Sequence, residues 1–341
     1  MIYPWQTDQW QQLAHAKQEN RLPHALLFIG IRGTGKAHFA ENFMRTQLCS
    51  CSMSPFETDT SQSDVSRRTH CECHSCRLVT NRSHPNVLWI EPEKPGSAIK
   101  VDQVRDITEF VNQTSLQGEY RFVVINPASN MNANAANALL KTLEEPSSGS
   151  ILILISEQTF HLPATILSRC QYIHFPAPPA TLALDWLEKK LTDKTMDREL
   201  ILQLAHGAPL AAMQLVQDNI LAARINLLQI LYALSQKQAD PVKSVSSLQN
   251  LELVHILDFT LNWVMDLLRL HLKIDTKEII NKDFTQPLTD LYQRSLMSNI
   301  MQYMDYLQQL RNQISSGINL NKQLMIENIL IRWMECAHVS R

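Results

Sequence analysis

The sequence predicts an α/β protein whose N-terminal part is a doubly wound parallel β-sheet and whose C-terminal part is helical. The first observation is a set of short apolar segments without strict polar alternation, as is typical of strands buried on both faces. They span residues 25–29, 87–90, 121–125 and 151–155. The second is that helical patterns separate them, which favours parallel pairing through crossover helices. The third is that seven of the eight glycines lie at or before Gly207 and thirteen of the fifteen prolines precede Pro241.

Helices and a hinge complete the predicted N-terminal part. Helical patterns cover residues 38–48, 101–112 and 134–145. Pro146 ends the last of these, because proline cannot continue a helix. A final apolar segment over 172–175 follows, and the sequence Ala177-Pro178-Pro179 after it indicates a stiff hinge.

The rest of the chain is expected to be helical. A small helical unit is predicted over 180–217. Beyond it, apolar residues recur at helical spacing and indicate a helical bundle without internal repeats. The two clearest stripes are Leu253, Val254, Ile256, Leu257, Leu261, Val264, Met265, Leu268 and Leu272, and Leu296, Ile300, Met304, Leu307, Leu310 and Ile314.

Length and composition exclude several classes of function. The chain has 341 residues, enough for two or three domains. Its formal net charge of −2 gives no basic excess for nucleic-acid binding by the chain alone. The first twenty residues do not resemble a secretory signal, and no apolar stretch approaches the ~18 residues of a membrane helix. We therefore expect a cytoplasmic protein with no membrane association.

Residues 30–37, Gly-Ile-Arg-Gly-Thr-Gly-Lys-Ala, lie between a predicted strand and a predicted helix. The Gly-x4-Gly-Lys spacing is that of a P-loop, in which backbone N–H groups and a lysine bind phosphates. The candidate nucleotide-binding residues are Gly30, Gly33, Gly35 and Lys36. Ala37 departs from the pattern, since a serine or threonine there would offer a hydroxyl to Mg²⁺. The alternative is a glycine-rich turn that only packs, so we expect weak ATP binding or none.

A second departure concerns the carboxylates that hydrolysis needs. A hydrolytic P-loop enzyme carries acidic residues at the end of another strand, one to hold Mg²⁺ and one to orient water. Here the predicted strand 121–125 is followed by Asn126, Pro127 and Ala128. Because neither carboxylate is present, we expect no ATP hydrolysis by the isolated chain.

Five of the seven cysteines lie within 28 positions and favour a structural zinc site over a disulfide framework. Cys73 and Cys76 form a chelating pair at Cys-x2-Cys spacing, which is common in tetrahedral Zn²⁺ sites. The remaining ligands are ambiguous: Cys49 or Cys51 can supply one, and Cys71 or His70 the other. Our chosen ligand set is Cys49, Cys71, Cys73 and Cys76. Residues 50–70 between them are polar and predict a surface loop.

The chain resembles the bacterial clamp-loader subunits of the AAA+ class. The motifs that carry the resemblance are the P-loop, the cysteine cluster, and the segments 101–105 (VDQVR), 137–146 (NALLKTLEEP) and 167–170 (LSRC). Their order and spacing hold over roughly residues 1–215. A weaker likeness over 317–330 extends it into the C-terminal helices.

This resemblance implies a three-domain architecture. An AAA+ P-loop domain would span 1–177, with a zinc-binding insert at about 49–76. A small helical lid domain would span 178–217, and an all-helical collar domain for oligomerisation would span 218–341.

The departures from the motor subunits of the family imply a member that does not hydrolyse ATP. Besides Ala37 and Asn126, Leu210 stands where those subunits carry an arginine that senses the γ-phosphate of their own ATP. Arg169 of the Ser-Arg-Cys motif is retained, and in the family this arginine reaches the ATP of the neighbouring subunit. The resemblance therefore implies a rigid stator in the clamp loader of a DNA polymerase holoenzyme, a nucleotidyltransferase assembly, with Arg169 acting in trans.

The implied partners are the other loader subunits, of the delta and gamma/tau types, in a five-membered ring. Through that ring the chain would meet the sliding clamp and primer-template DNA. Two alternatives remain. An ATP-hydrolysing motor subunit would require a replacement metal ligand and base, and a zinc-containing nucleic-acid-binding module would require more positive charge than the chain carries.

Overall fold

The computed structural model describes residues 2–51, 71–94, 97–112, 120–157, 162–193, 195–275, 278–315 and 321–337. The predicted polar loop falls almost wholly outside these ranges. His70 and residues 317–319 also lie outside them.

Five strands form a single parallel sheet with the order β2-β3-β4-β1-β5. Their bounds are β1 Ala25–Ile29, β2 Val87–Ile90, β3 Arg121–Ile125, β4 Ser150–Ser156 and β5 Gln171–His174. The predicted parallel sheet is thus confirmed, with β4 slightly longer and β5 one residue earlier than the sequence indicated. The carboxyl ends of β1, β3, β4 and β5 carry the P-loop, Asn126, Glu157 and Phe175 respectively.

Both faces of the sheet are buried, which explains why the strand sequences do not alternate with polar residues. On β1, Leu26 and Phe28 pack into one hydrophobic cluster, whereas Ala25 and Leu27 pack into another. The helices that accompany the sheet are α1 Thr7–Gln18, α2 Lys36–Leu48, α3 His74–Thr80, α4 Val101–Asn112, α5 Ala133–Glu144 and α6 Ala164–Leu167. Helix α4 coincides with its prediction, and α5 is displaced by a single residue.

The remaining regular elements among the described residues are helices, as predicted. The helices are α7 Ala180–Lys190, α8 Arg198–Leu204, α9 Pro209–Gln217, α10 Ile220–Ser235, α11 Pro241–Ser244, α12 Leu253–His271, α13 Thr285–Arg294, α14 Met297–Ser315 and α15 Lys322–Ala337. The chain divides into two compact units, Met1–Leu182 and Ala183–Arg341. One hydrophobic cluster runs through the second unit, from Ala183 to Ala337. The boundaries at 177 and 217 stay predictions. None of the described helices has the length and apolar character needed to cross a bilayer.

Candidate functional site

The P-loop residues lie where the sequence placed them, in the turn that leads from β1 into α2. Gly33 and Gly35 adopt φ values of 86° and 89°, a left-handed conformation that glycine tolerates best. Gly30 is required for a different reason. A Cβ atom at Gly30 would lie 2.0 Å from the carbonyl oxygen of Phe175, at the end of the neighbouring strand β5. The glycines therefore let the loop turn tightly against the sheet.

The Lys36 side chain folds back onto this loop. Its Nζ donates hydrogen bonds to the carbonyl oxygens of Gly30, at 2.5 Å, and Ile31, at 2.9 Å. The residue is only 7% exposed, and burial lowers the pKa of its ammonium to about 8, against a smaller opposite effect of the Glu157 carboxylate. The loop thus engages Lys36 through two of its ammonium N–H donors.

The N-terminal segment is fastened to the same loop. Gln6 Nε2 donates to the carbonyl oxygens of Thr34, at 2.9 Å, and Gly35, at 3.1 Å, and the Trp5 indole N–H donates to Thr34 O at 3.0 Å. The Tyr3 ring lies so close to Gly35 that a Cβ atom there would come within 2.7 Å of it. Tyr3 in turn stacks on Trp5, with ring centroids 4.9 Å apart. The contact between the N-terminal segment and the P-loop could not be predicted, because the residues before position 7 carry no recognisable motif.

Residue 37 contributes no metal ligand. Ala37 lies in the first turn of α2, half-buried, and its methyl group packs against the core on one face of the sheet. A methyl group offers no lone pair to Mg²⁺, so the position that a metal-binding hydroxyl would occupy is apolar.

The end of β3 also lacks a carboxylate. Asn126 follows β3, and its amide Nδ2 donates to Glu91 Oε1 at 3.4 Å. Glu91 follows the edge strand β2 and forms an ion pair with Arg82 at 2.7 Å. Strands β3 and β4 lie between β2 and β1, so two strands separate Glu91 from the P-loop. It is not placed to replace the missing acidic pair.

Glu157 is the carboxylate that the sequence reasoning missed. It directly follows β4, and β4 pairs with β1 along its length. Its charge favours the ammonium form of Lys36 and acts to raise the pKa of that lysine, by less than burial lowers it. The position at the carboxyl end of a predicted strand, next to the P-loop strand, was a usable indication.

Arg169 lies just beyond the one-turn helix α6, and its guanidinium is 35% exposed. Its Nη2 forms an ion pair with Glu144 Oε1 at 2.7 Å, and its Nη1 donates to Thr165 O at 2.9 Å. The next residue, Cys170, is buried at 8% exposure in the core on one face of the sheet. The backbone is therefore anchored while the charged group reaches the surface. Leu210, in the second unit, is half-buried in the first turn of α9.

The cysteines converge where α2 ends and α3 begins. The sulfur atoms of Cys49, Cys51, Cys71 and Cys73 all lie within 4.8 Å of one another. The Sγ–Sγ distances are 3.4 Å for Cys49–Cys71, 3.9 Å for Cys49–Cys73 and 3.3 Å for Cys71–Cys51. Tetrahedral Zn²⁺ with Zn–S bonds of about 2.3 Å holds its sulfur atoms about 3.8 Å apart. Both the donor set and its spacing fit such an ion.

Cys76 lies beside this group. It is 3% exposed, its thiol donates to the carbonyl oxygen of Arg45 at 3.8 Å, and burial, with hydrogen bonds to the sulfurs of Cys73 and Cys49, raises its pKa. Cys73 differs: burial acts to raise its pKa, but several hydrogen bonds, first that from the backbone N–H of Cys76, together outweigh burial and lower the pKa to about 5. Five thiols are thus available for four ligand positions. The described cluster contains Cys49, Cys71 and Cys73 of the chosen ligand set together with Cys51, and Cys76 as the fourth ligand stays a prediction.

A buried hydrogen-bond chain holds the cysteine-bearing helix α3 in place. Ser75 Oγ donates to Leu48 O, at the end of α2, at 2.6 Å. It lies 2.9 Å from His84 Nε2, while His84 Nδ1 accepts from the backbone N–H of Asn86 at 3.0 Å. Burial lowers the pKa of His84 and so favours the neutral ring. Because Nδ1 accepts a hydrogen bond, the proton of the neutral ring lies on Nε2. These hydrogen bonds hold α3 against both the end of α2 and the residues just before β2.

Two family models match the chain. The model described as DNA polymerase III, delta subunit, matches residues 5–179, and the model described as DNA polymerase III, delta subunit, C terminal, matches residues 218–335.

Several curated proteins are similar over most or part of the chain. The chain is 34% identical, over 97% of both sequences, to DNA polymerase III subunit delta' of Pseudomonas aeruginosa. It is 28% identical to the protein of the same name from Escherichia coli K12, over 97% of this chain and 94% of that one. It is also 30% identical to DNA polymerase III subunit tau of Bacillus subtilis, over 61% of this chain and 35% of that one.

Proposed function

The chain belongs to the family of delta-prime subunits of DNA polymerase III, and we propose that it acts as a clamp-loader subunit that does not hydrolyse ATP itself. The observation that carries this proposal is Ala37, whose methyl group packs on the sheet core where a Mg²⁺-binding hydroxyl would be needed. Asn126 at the end of β3 supports it, because an amide bonded to Glu91 cannot act as a base or as a carboxylate ligand.

Nucleotide binding at Gly30, Gly33, Gly35 and Lys36 would be weak or absent. Lys36 must leave two carbonyl acceptors before its ammonium can meet a phosphate. Tyr3 is packed against Gly35, at the start of α2, where backbone N–H groups of a P-loop normally bind phosphate oxygens. A nucleotide would therefore have to displace contacts that the loop already makes.

Arg169 would act in trans, on the ATP of a neighbouring subunit. A guanidinium offers a planar set of donors suited to phosphate oxygens, and comparable arginines in P-loop systems accelerate hydrolysis by roughly 10³ to 10⁵. In this chain the group is at the surface of the first unit, on an anchored backbone. The subunit would thus supply a catalytic group to its neighbour without turning over ATP itself.

Zinc would have a structural role at the cysteine cluster. A closed set of four thiolates leaves no open position for a substrate, which is the arrangement of structural sites. Cys49, Cys71 and Cys73, with Cys76 or Cys51, would hold the ion and join the end of α2 to the start of α3.

The partners in this proposal are the delta and gamma/tau subunits in a five-membered ring. The helices of residues 218–341 would join the ring through a collar, residues 178–217 would form the lid, and the sliding clamp and primer-template DNA would be contacted through the assembled ring. The protein would work in the cytoplasm, as a component of a nucleotidyltransferase holoenzyme.

The decisive experiment is ATP hydrolysis by the purified, zinc-loaded chain in the presence of Mg²⁺. A Lys36→Ala variant, prepared in parallel, controls for a contaminating ATPase. We expect equal turnover by both proteins, at background level. Turnover that disappears with Lys36 would refute the proposal and identify a motor subunit.

One observation favours that motor alternative: the carboxylate of Glu157 acts electrostatically on Lys36. In a motor subunit it would have to replace the missing acidic residues. A Glu157→Gln variant separates the two readings, because it would abolish turnover by a motor subunit and would leave the background unchanged in a subunit that does not hydrolyse ATP.

A further inference from the structure

We propose that Glu144 is a positioning residue for Arg169, holding the guanidinium in the orientation from which it reaches the phosphate of the neighbouring subunit. The inference rests on the proposed trans role of Arg169. It assigns to the last residue of α5 a part in catalysis that takes place on another chain.

Three acceptors from the subunit's own residues contact the two terminal nitrogens of the guanidinium. Glu144 Oε1 accepts from Nη2 at 2.7 Å, Thr165 O accepts from Nη1 at 2.9 Å, and Ser168 Oγ lies 3.3 Å from Nη1. An arginine side chain carries five N–H donors in a rigid plane. The guanidinium N–H groups that are not used in these contacts can donate to phosphate oxygens. The subunit's own residues meanwhile fix the plane of the guanidinium.

The backbone beneath Arg169 is fixed as well. Its N–H donates to Ile166 O at 3.0 Å, which closes the single turn of α6. Cys170, with its side chain in the core, holds the other side of the residue. With the backbone anchored, the ion pair to Glu144 controls the long, flexible side chain. Without this ion pair, the Arg169 side chain would lose its conformational freedom only on binding the phosphate, and that entropy cost would weaken the contact.

Local structure does not account for a carboxylate at position 144. Glu144 is the last residue of α5, where the helix dipole disfavours negative charge. Its side chain is 51% exposed, and ion pairs at such exposure contribute little to folding. The pair with Arg169 therefore does more for the orientation of Arg169 than for the stability of the domain.

The test is ATP turnover by the complete clamp loader, reconstituted with variants of this chain. Glu144→Gln removes the charge and keeps the size of the side chain. Glu145→Gln is the matched control, because Glu145 is the adjacent exposed glutamate and forms no ion pair with Arg169. We expect Glu144→Gln to lower kcat at the neighbouring site by about two- to fivefold with KM for ATP unchanged. Glu145→Gln should change neither.

A double variant distinguishes positioning from a general structural effect. If Glu144 acts through Arg169, Glu144→Gln will not lower turnover further in an Arg169→Ala background. Glu144→Asp, which keeps the charge, should retain more turnover than Glu144→Gln. The melting temperature of the free chain should be the same for Glu144→Gln and Glu145→Gln.

The outcomes separate this inference from the proposal on which it rests. If Arg169→Ala leaves loader turnover unchanged, the trans role itself is wrong. If Arg169→Ala lowers turnover but Glu144→Gln does not, the trans role stands and the positioning role is wrong. A further loss on adding Glu144→Gln to Arg169→Ala would also overturn the positioning role.

Discussion

Replacing Lys36 with methionine should change the way in which the stability of the chain depends on pH. Burial lowers the pKa of Lys36 from 10.5 to about 8 in the folded chain, whereas in the unfolded chain the ammonium is solvated. Between these two values the unfolded chain binds more protons than the folded chain. The free energy of unfolding contributed by Lys36 therefore rises as the pH increases through this window. Methionine keeps an unbranched side chain and removes the titration.

The magnitude follows from the separation of the two pKa values. At 1.36 kcal/mol per pKa unit, moving from pH 7 to pH 10 should stabilise the parent chain relative to Lys36→Met by about 2.5 kcal/mol. Contributions of Lys36 that do not depend on its protonation state shift the difference in stability between the two proteins by the same amount at every pH. The change in that difference with pH is the quantity that reports burial.

Two measurements check the prediction. Denaturant unfolding of both proteins at several pH values gives the difference in stability, and groups common to both proteins cancel. Lys94→Met, at an exposed position, is the control and should show no comparable change. Carbon-13 NMR of methylated lysines gives the pKa directly, with Lys36 assigned from its missing signal in the variant. A Lys36 signal that titrates near 10.5, or a stability difference that is constant from pH 7 to pH 10, would refute the reasoning.

Three further predictions concern stability and metal. Gly30→Ala should lower the melting temperature by several degrees, because its Cβ would lie 2.0 Å from Phe175 O and such overpacking costs about 1–3 kcal/mol; an unchanged melting curve would mean that β5 can move away. Elemental analysis should find one zinc per purified chain, and Cys73→Ser should lose it; metal retained in full by that variant would exclude Cys73 as a ligand. Asp266→Ala should destabilise the second unit by about 3–5 kcal/mol in denaturant unfolding, because the carboxylate is fully buried and accepts from Arg269 and from the backbone N–H of Asn281; a cost below about 1 kcal/mol would contradict this.

The sheet could be predicted because its cause is local. Each strand is a short apolar run, and both faces of the sheet are covered, so the sequence itself carries the pattern. Helix α5 was equally readable, since Pro146 marks its end. The P-loop turn followed from the glycine spacing alone.

The site was less predictable because its contacts join residues that are distant in sequence. Glu144 and Arg169 are both surface residues of common types, and only the packing of α6 beside α5 brings them together. The same holds for Tyr3 against Gly35. At the cysteine cluster, spacing favours Cys76 as the partner of Cys73, whereas the sulfur atoms that lie within 4.8 Å of one another are those of Cys49, Cys51, Cys71 and Cys73.

The cysteine cluster has a consequence for the length of the segment that it closes. Cys49 and Cys71 are 22 positions apart, and a metal bound there would join them as a covalent cross-link does. The entropy lost in closing such a segment grows only with the logarithm of its length, by about 0.6 kcal/mol for each doubling. Residues can therefore be inserted between Cys51 and Cys71 at little thermodynamic cost while the metal is bound. The same insertion within α2 or α3 would displace a cysteine from the cluster, so an epitope or a fluorescent label is better placed between Cys51 and Cys71 than in either helix.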